Sequence, residues 1–145
     1  MGGFGETLPY HENKVTLDKT KKDKWGLNIL SMDIEYKENE VKMRIDMQKD
    51  AEEMLTIGGV KNVTGWTGDG TLGRGIHEMG SARMGRDAKT SVLNGFNQIW
   101  DAPNVFVTDG SFMTSAACQN PSLTYMAFTA RAADHAVSEL KKMNI

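Results

Sequence analysis

Nine glycines fall within one stretch of the chain, residues 58–85, and this stretch constrains the fold more than any other feature. Glycine loses more backbone freedom on folding than any other residue, so a segment this rich in glycine is a poor helix or regular strand. A flexible linker is one interpretation, but Trp66, Ile76 and His77 are not typical linker residues. We therefore predict a tightly routed loop that approaches another group closely.

The part of the chain before this loop is predicted to contain strands and one helix. Lys14–Leu17 and Leu30–Tyr36 alternate polar and apolar residues, which predicts half-buried strands, and the charged run Asp18–Lys24 predicts a solvated loop. A helix is predicted from Asn39 to about Ile57, with Gly58-Gly59 as its stop. One arc of this helix is apolar and is predicted to pack against a sheet. The arc consists of Val41, Ile45, Met47, Ala51, Met54 and Leu55.

After the loop, Ser91–Trp100 indicates a short extended segment, and Asn104–Thr108 is an apolar run typical of a strand covered on both faces. The turn dipeptide Asp109-Gly110 follows. A long helix is then predicted over residues 120–142, with Asn120 as N-cap and Pro121 in the first helical position. Its apolar stripe consists of Leu123, Met126, Ala127, Ala130, Ala133, Val137 and Leu140.

Charge and cysteine content exclude several classes of function. The chain has 17 Lys and Arg against 19 Asp and Glu, a net charge of −2, which gives no electrostatic case for nucleic acid. No run of about 18 apolar residues is present, so no membrane span is predicted. The single cysteine, Cys118, excludes an intrachain disulfide framework. Three scattered histidines without an HExxH or CxxC pattern predict that there is no metal site.

Two residues are candidates for chemistry on the sequence alone. His77 lies between glycines in GIHEMGSARMG, and a neutral imidazole there can accept a proton from an alcohol. His11 and His135 are predicted at the surface. Asn120 either caps the last helix or contributes to an electrostatic site at its positive end, and periodicity leaves both readings open.

Together these segments resemble the C-terminal signature of the glucose–methanol–choline (GMC) oxidoreductases. The matching segments are HEMGSARMG (His77–Gly85), SVLN (Ser91–Asn94), NVFVTDGS (Asn104–Ser111), NPSLT (Asn120–Thr124) and ARAAD (Ala130–Asp134). Upstream, LPYHENKVTLD, DKWG and a helix after ENE resemble the end of the family's substrate domain. The asparagine of NPSLT, where many relatives carry a second histidine, is similar to the pyranose oxidase, gluconate dehydrogenase and glucoside dehydrogenase branch.

The resemblance implies a fold of the α+β class: a fragment of an α/β FAD-binding fold plus part of an antiparallel-sheet substrate domain. Residues 1–75 would end the substrate domain. Residues 76–145 would carry the signature region, the last strand of the FAD domain at 104–108 and the terminal helix.

The resemblance also assigns roles to individual residues. It implies that His77 is the catalytic base and that Asn120 hydrogen-bonds the substrate oxygen. Asp109 and Gly110 would contact the ribityl and pyrophosphate region of FAD. Near the pyrimidine side of the flavin, the expected contacts are Asn120, Pro121, Ser122 and Thr124.

The implied activity is oxidation of a CH–OH group in a sugar or small alcohol, by hydride transfer to flavin N5 of FAD. Oxygen, a quinone or a cytochrome would reoxidise the flavin. Gly68–Gly73 spells GxGxxG without a preceding strand or following helix, and we read it as a chance match. The chain is therefore expected to need the N-terminal FAD-binding portion of the same protein and to be inactive alone. The alternative is a binding or structural module that completes a flavin subunit in trans.

Overall fold

The computed structural model describes residues 1–68, 72–73 and 77–145, so half of the GxGxxG match at residues 68–73 lies outside the described residues. The chain divides into two compact units, Met1–Gly75 and Ile76–Ile145. Two helices and two small antiparallel sheets confirm the α+β class. The functions assigned to the two parts stay predictions. Neither helix in the described ranges has a segment long and apolar enough to cross a bilayer.

The first unit opens with a β-hairpin of β1 (Lys14–Lys22) and β2 (Asn28–Asp33). The predicted solvated loop over residues 18–24 is wrong in part, because Lys22 pairs with Asn28 and extends β1. The register shifts just before that pair, where Asp18 Oδ1 accepts the amide N–H of Thr20 at 2.8 Å. Local capture of backbone amides by an aspartate therefore forms the bulge inside the strand.

The apolar side chains of the hairpin lie in solvent, contrary to the prediction of half-buried strands. Val15, Leu17, Leu30 and Met32 are each more than half exposed. Two strands make a single layer, and among the described residues of this unit no second layer covers these side chains. The alternating pattern is thus present without the burial that it predicts.

Helix α1 (Glu38–Ile57) begins one residue before the predicted start and ends at Ile57, with Gly58 as its C-cap, as predicted. Gly59 follows with a φ of +85°, a conformation that glycine adopts without strain. The prediction that the apolar arc packs against a sheet is wrong within this unit, because Val41, Ile45 and Met54 are exposed. The most buried side chain of α1 is instead a charged one, Glu40, at 1% exposure.

Glu40 is buried because its carboxylate joins the start of α1 to the chain before β1. It accepts the amide N–H of Leu8 and the hydroxyl of Tyr10, each at 3.0 Å, and the amide N–H of Lys37 at 3.0 Å. Burial by itself raises the pKa of Glu40, but hydrogen bonds from Leu8, Lys37 and Asn39 outweigh it and hold the pKa at about 2.

Because the pKa of Glu40 is below its ordinary value of 4.5, the ionised carboxylate stabilises the folded state above about pH 4.5. That contribution is lost as the pH falls toward 2. Glu40→Gln should lower the free energy of unfolding by roughly 2 kcal/mol at pH 7, because an amide N–H₂ faces buried donors.

The measurement is denaturant unfolding of the purified protein at a series of pH values. The difference between wild type and Glu40→Gln should shrink toward low pH. Glu38→Gln is the matched control, since Glu38 forms only an exposed ion pair with Lys42 and should cost less than about 1 kcal/mol. Equal losses in the two variants would contradict the structural role of Glu40.

The second unit contains a short hairpin of β3 (Gln98–Ile99) and β4 (Ala102–Phe106). The strand predicted at 104–108 begins two residues earlier and ends at Phe106. The expectation that it is covered on both faces is wrong here, because its middle residues are exposed. Leu93, which is fully buried, bridges to Met84 on one side and to Ile99 on the other. Ser91–Trp100 is therefore a folded turn and hairpin strand, more compact than the predicted extended segment.

Helix α2 (Ser122–Lys141) is the second long helix. Every member of its predicted apolar stripe is exposed, and the packed side of the helix is a different one. Phe128 stacks on Phe112 with ring centroids 4.9 Å apart, and Ala132 is buried. His135, predicted at the surface, is half-buried and stacks on the exposed Phe96 with ring centroids 4.1 Å apart. An aromatic partner from the 95–97 turn, remote in sequence, covers this histidine.

Candidate active site

The segment that carries His77 is shaped by a turn at Gly80. Gly80 has a φ of +88°, and its carbonyl accepts the amide N–H of Arg83 at 3.3 Å. A Cβ on Gly80 would lie 3.7 Å from the carbonyl oxygen of Met113. The backbone conformation is the stronger reason for glycine here, since a side chain would strain the turn that follows His77.

Backbone hydrogen bonds join this segment to the loop before α2. The amide of Ala82 donates to the carbonyl of Ser111 at 3.0 Å, and the amide of Met84 donates to the carbonyl of Phe112 at 2.9 Å. The amide of Gly85 in turn donates to the carbonyl of Leu93 at 2.9 Å. Three separate stretches of the sequence that match the GMC signature are thus adjacent in the fold.

Gly110, a predicted cofactor contact, lies in a crowded place. A Cβ at this position would be 2.6 Å from Tyr125 Oη and 2.9 Å from the carbonyl oxygen of Glu78. The chain's own packing therefore requires a glycine at position 110. Because Glu78 is the neighbour of His77, the same packing holds the histidine segment against the turn and helix α2.

Asp109, another predicted cofactor contact, caps the 3₁₀ turn Gly110–Phe112. Its Oδ1 accepts the amide N–H of Ser111 at 2.9 Å and also the Ser111 hydroxyl. The hydroxyl and amide of Ser111 lower the pKa of Asp109, so the group is a carboxylate at neutral pH. The Asp109 carboxylate, already oriented by Ser111, can accept further hydrogen bonds from hydroxyl groups.

The prediction that Asn120 is the N-cap of α2 is wrong. Pro121 occupies the N-cap position, and its carbonyl accepts the amide N–H of Tyr125 at 3.0 Å. Because the first helical hydrogen bond starts at Pro121, Asn120 lies outside the helix, and none of the described side chains caps it. Asn120 is exposed, and the next residue, Pro121, is buried. The Asn120 carboxamide does not cap the helix, so it is available to hydrogen-bond another group.

A cleft of about 310 Å³ opens beside the start of α2. Its lining comes from the signature segment, the loop after the 3₁₀ turn and the first turns of the helix. The lining residues are Met84, Phe112, Met113, Thr114, Ser115, Thr124 and Phe128. The volume is at the lower end for small-molecule sites, so this chain offers only part of a pocket for a molecule as large as a dinucleotide.

The predicted site residues are distributed unevenly around this cleft. Thr124 lines it, whereas His77 is half-buried and Asn120 and Ser122 are exposed in the same compact unit. Sequence reasoning missed the aromatic floor of the cleft, Phe112 and Phe128. Their sequence positions were the one available signal for this aromatic floor. Phe112 follows the Asp109-Gly110 turn, and Phe128 lies outside the predicted apolar stripe of α2. In the described parts of the chain, His, Cys, Asp and Glu do not cluster in threes that could hold a metal.

Comparison with known proteins identifies the family of this chain. Residues 9–129 match the family model described as GMC oxidoreductase, and the chain belongs to that family. It is 38% identical over 133 residues to a 2-methyl-1,2-propanediol dehydrogenase of Mycolicibacterium austroafricanum, with 91% of this chain covered. It is 34% identical over 136 residues to a gluconate 2-dehydrogenase flavoprotein of Pantoea cypripedii, with 89% covered.

A third relative is a long-chain-alcohol oxidase of Arabidopsis thaliana, 32% identical over 147 residues, with 84% of this chain covered. The chain spans only part of each relative: 24% of the diol dehydrogenase, 22% of the gluconate dehydrogenase and 18% of the alcohol oxidase. The family is therefore shown over nearly the whole chain, and the three relatives are named as oxidases and dehydrogenases of alcohols and gluconate.

Proposed function

We propose that this chain supplies the catalytic residues of an FAD-dependent oxidoreductase that oxidises a CH–OH group of a sugar or small alcohol. The observation that carries the proposal is the backbone pairing of Ala82 with Ser111 and of Met84 with Phe112. Through that pairing, the segment containing His77 is bound to the loop that leads to Asn120. Family membership and the names of the relatives support the reaction class.

The donors around the start of α2 suit a flavin. The first amides of a 20-residue helix have no intrahelical acceptor, and they carry the partial positive charge of the helix dipole. The amide of Ser122 and the hydroxyl of Thr124 are neutral donors, as a ring rich in carbonyl and imine acceptors requires. A bound flavin supplies the acceptor for the hydride that leaves the carbinol carbon.

His77 acts as the base in this proposal. Its imidazole accepts the hydroxyl proton as the C–H bond breaks. Without a base, loss of hydride would leave a protonated carbonyl with a positive charge on oxygen, and removal of the proton avoids that species and lowers the barrier. The half-buried position of His77 limits competition from bulk water while leaving access to a substrate hydroxyl. General base catalysis of this kind contributes about 10²–10⁴ in rate.

Asn120 orients and stabilises the same oxygen. Its carboxamide N–H₂ donates a hydrogen bond to the substrate oxygen, whose negative charge grows as the proton departs. Because Asn120 is not engaged as a helix cap, its side chain can adopt the rotamer that this contact needs. His77 removes the proton and Asn120 stabilises what remains, so the two roles are complementary.

The proposed partners are a sugar or small-alcohol substrate and the FAD-binding portion of the same protein, with oxygen, a quinone or a cytochrome as the final acceptor. The exposed stripe on α2 supports the second of these. Leu123 is 78% exposed and Met126 is 68% exposed. Both belong to an apolar stripe, and an amphipathic helix normally packs such a stripe against another part of the protein. An FAD-binding portion of the protein would supply that cover.

The 145-residue chain alone is expected not to bind FAD stoichiometrically at micromolar concentration, because its cleft encloses only about 310 Å³. Titration of the purified chain with FAD, followed by flavin fluorescence, measures this directly. Adding the FAD-binding portion in trans is the matched arm and should restore binding. Tight binding of FAD by the chain alone would contradict the proposal that the FAD-binding portion of the protein is needed to hold the cofactor. It would not contradict the roles of His77 and Asn120.

A further inference from the structure

The turn at residues 94–97 contains a buried asparagine that the proposed mechanism does not use. Asn97 is fully buried and has a φ of +63°, which is uncommon outside glycine. Its carbonyl accepts the amide N–H of Val107 at 2.9 Å, and its own Nδ2 donates to the carbonyl of Val107 at 3.0 Å. Asn97 therefore holds Val107 by both backbone and side chain.

Arg131, near the middle of α2, reaches the same turn. Its Nη2 donates to the carbonyl of Gly95 at 2.5 Å and lies 3.5 Å from Asn97 Oδ1. The guanidinium stacks 4.5 Å from the ring centroid of Phe128, and Nη2 is 3.8 Å from Met84 Sδ. Phe128 and Met84 both line the cleft, so one side chain contacts the turn and two parts of the cleft wall.

A continuous set of contacts runs from this pair to the signature segment. Asn97 holds Val107, and Asp109 follows two residues later. Asp109 then holds Ser111, and Ser111 accepts the amide of Ala82, five residues after His77. Each link is a hydrogen bond or a short stretch of backbone. Arg131 connects the other end of the set to α2, the helix that begins just after Asn120.

We infer that Asn97 and Arg131 are positioning residues that set the His77 segment relative to the start of α2. The inference rests on the proposed function, because it gives the pair a role in the reaction through His77 and Asn120. Neither residue touches the substrate in this view. The physical reason is that reacting groups must be held within fractions of an ångström, and a misplacement of about 1 Å can cost about 10² in rate.

The test uses the complete flavoprotein with variants Asn97→Gly, Arg131→Ala and the double variant. Glycine removes the carboxamide while keeping the backbone free to adopt a positive φ, so folding is preserved. Stopped-flow reduction of the bound flavin, expressed per bound FAD, should slow by about 10-fold or more in each single variant at saturating substrate. Substrate affinity should stay within about 3-fold, and the visible circular dichroism of the flavin should change.

Two further measurements separate positioning from plain stability. Glu139→Ala removes the hydrogen bonds that Glu139 accepts from the Lys142 and Asn144 side chains at the C-terminal end of α2, outside the set of contacts. It should lower Tm without slowing flavin reduction. The double variant should lose less than the sum of the two single losses, because residues in one network are coupled.

Rates per bound flavin within about 2-fold of wild type in Asn97→Gly and Arg131→Ala would overturn the inference, as would strictly additive losses. His77→Ala distinguishes this failure from failure of the proposed function. If His77→Ala still blocks reduction, only the positioning role is lost. An unchanged rate in His77→Ala would instead remove the function on which the inference rests.

Discussion

Replacing His77 with alanine is expected to slow reduction of the flavin by at least about 10²-fold, while FAD content stays at the wild-type level. The expected size follows from general base catalysis, which contributes about 10²–10⁴, and a 10²-fold loss corresponds to about 2.7 kcal/mol of barrier. FAD content is expected to persist because the proposed flavin contacts come from Asp109 to Thr124, not from the histidine.

The experiment is anaerobic stopped-flow mixing of the complete enzyme with substrate, which isolates hydride transfer from reoxidation. His11→Ala is a matched control, since His11 is an exposed turn residue in the other compact unit and should leave the rate unchanged. His77→Gln keeps a polar side chain without a comparable base, and it should be as slow as His77→Ala. A reductive rate that survives both substitutions would remove His77 from the mechanism.

Replacing Asn120 with alanine is expected to lower the same rate by about 10²-fold, the usual cost of losing one donor to a developing negative oxygen. Asn120→Asp should lose at least as much, because a carboxylate has no N–H to donate and repels the charge that grows on the oxygen. Asn120→His should retain part of the activity, since an imidazole N–H can still donate a hydrogen bond to the substrate oxygen.

Gln119→Ala is the matched control for these variants, because Gln119 is an exposed amide one residue away. It should reduce the flavin at the wild-type rate. Thermal unfolding should show little loss of stability in Asn120→Ala, because Asn120 does not cap α2. An Asn120→Asp variant as fast as wild type would contradict the role of the carboxamide as a donor, whatever the alanine variant shows.

Helix positions were the most predictable part of this fold. Periodicity places α1 and α2 to within about two residues of their observed bounds, because stop and start signals such as Gly58 and Pro121 act locally. The choice of N-cap was not predictable to one residue. Asn120 and Pro121 both suit a helix start, and the hydrogen bond from Tyr125 to Pro121 determines where the first turn closes.

Burial was the least predictable part. Amphipathic patterns mark faces that are apolar, but which face is covered depends on what lies against it. In α2 the predicted stripe from Leu123 to Leu140 is exposed, while Phe128 and His135 on another side pack against Phe112 and Phe96. The buried Glu40 was equally invisible in sequence, since a carboxylate is buried only when distant donors such as Leu8 N–H converge on it.

For the candidate site too, some features were predictable from sequence and others were not. Local chemistry makes His77 a candidate base and leaves Asn120 open between a cap and a site. The resemblance to the GMC signature adds the expected roles of Asn120 and of the Asp109-Gly110 turn. Tertiary structure alone reveals the close contacts that make Gly110 obligatory and the Asn97–Arg131 contacts that join the turn to α2. Such contacts join residues far apart along the chain, and they depend on packing distances of a few ångströms that no linear pattern contains.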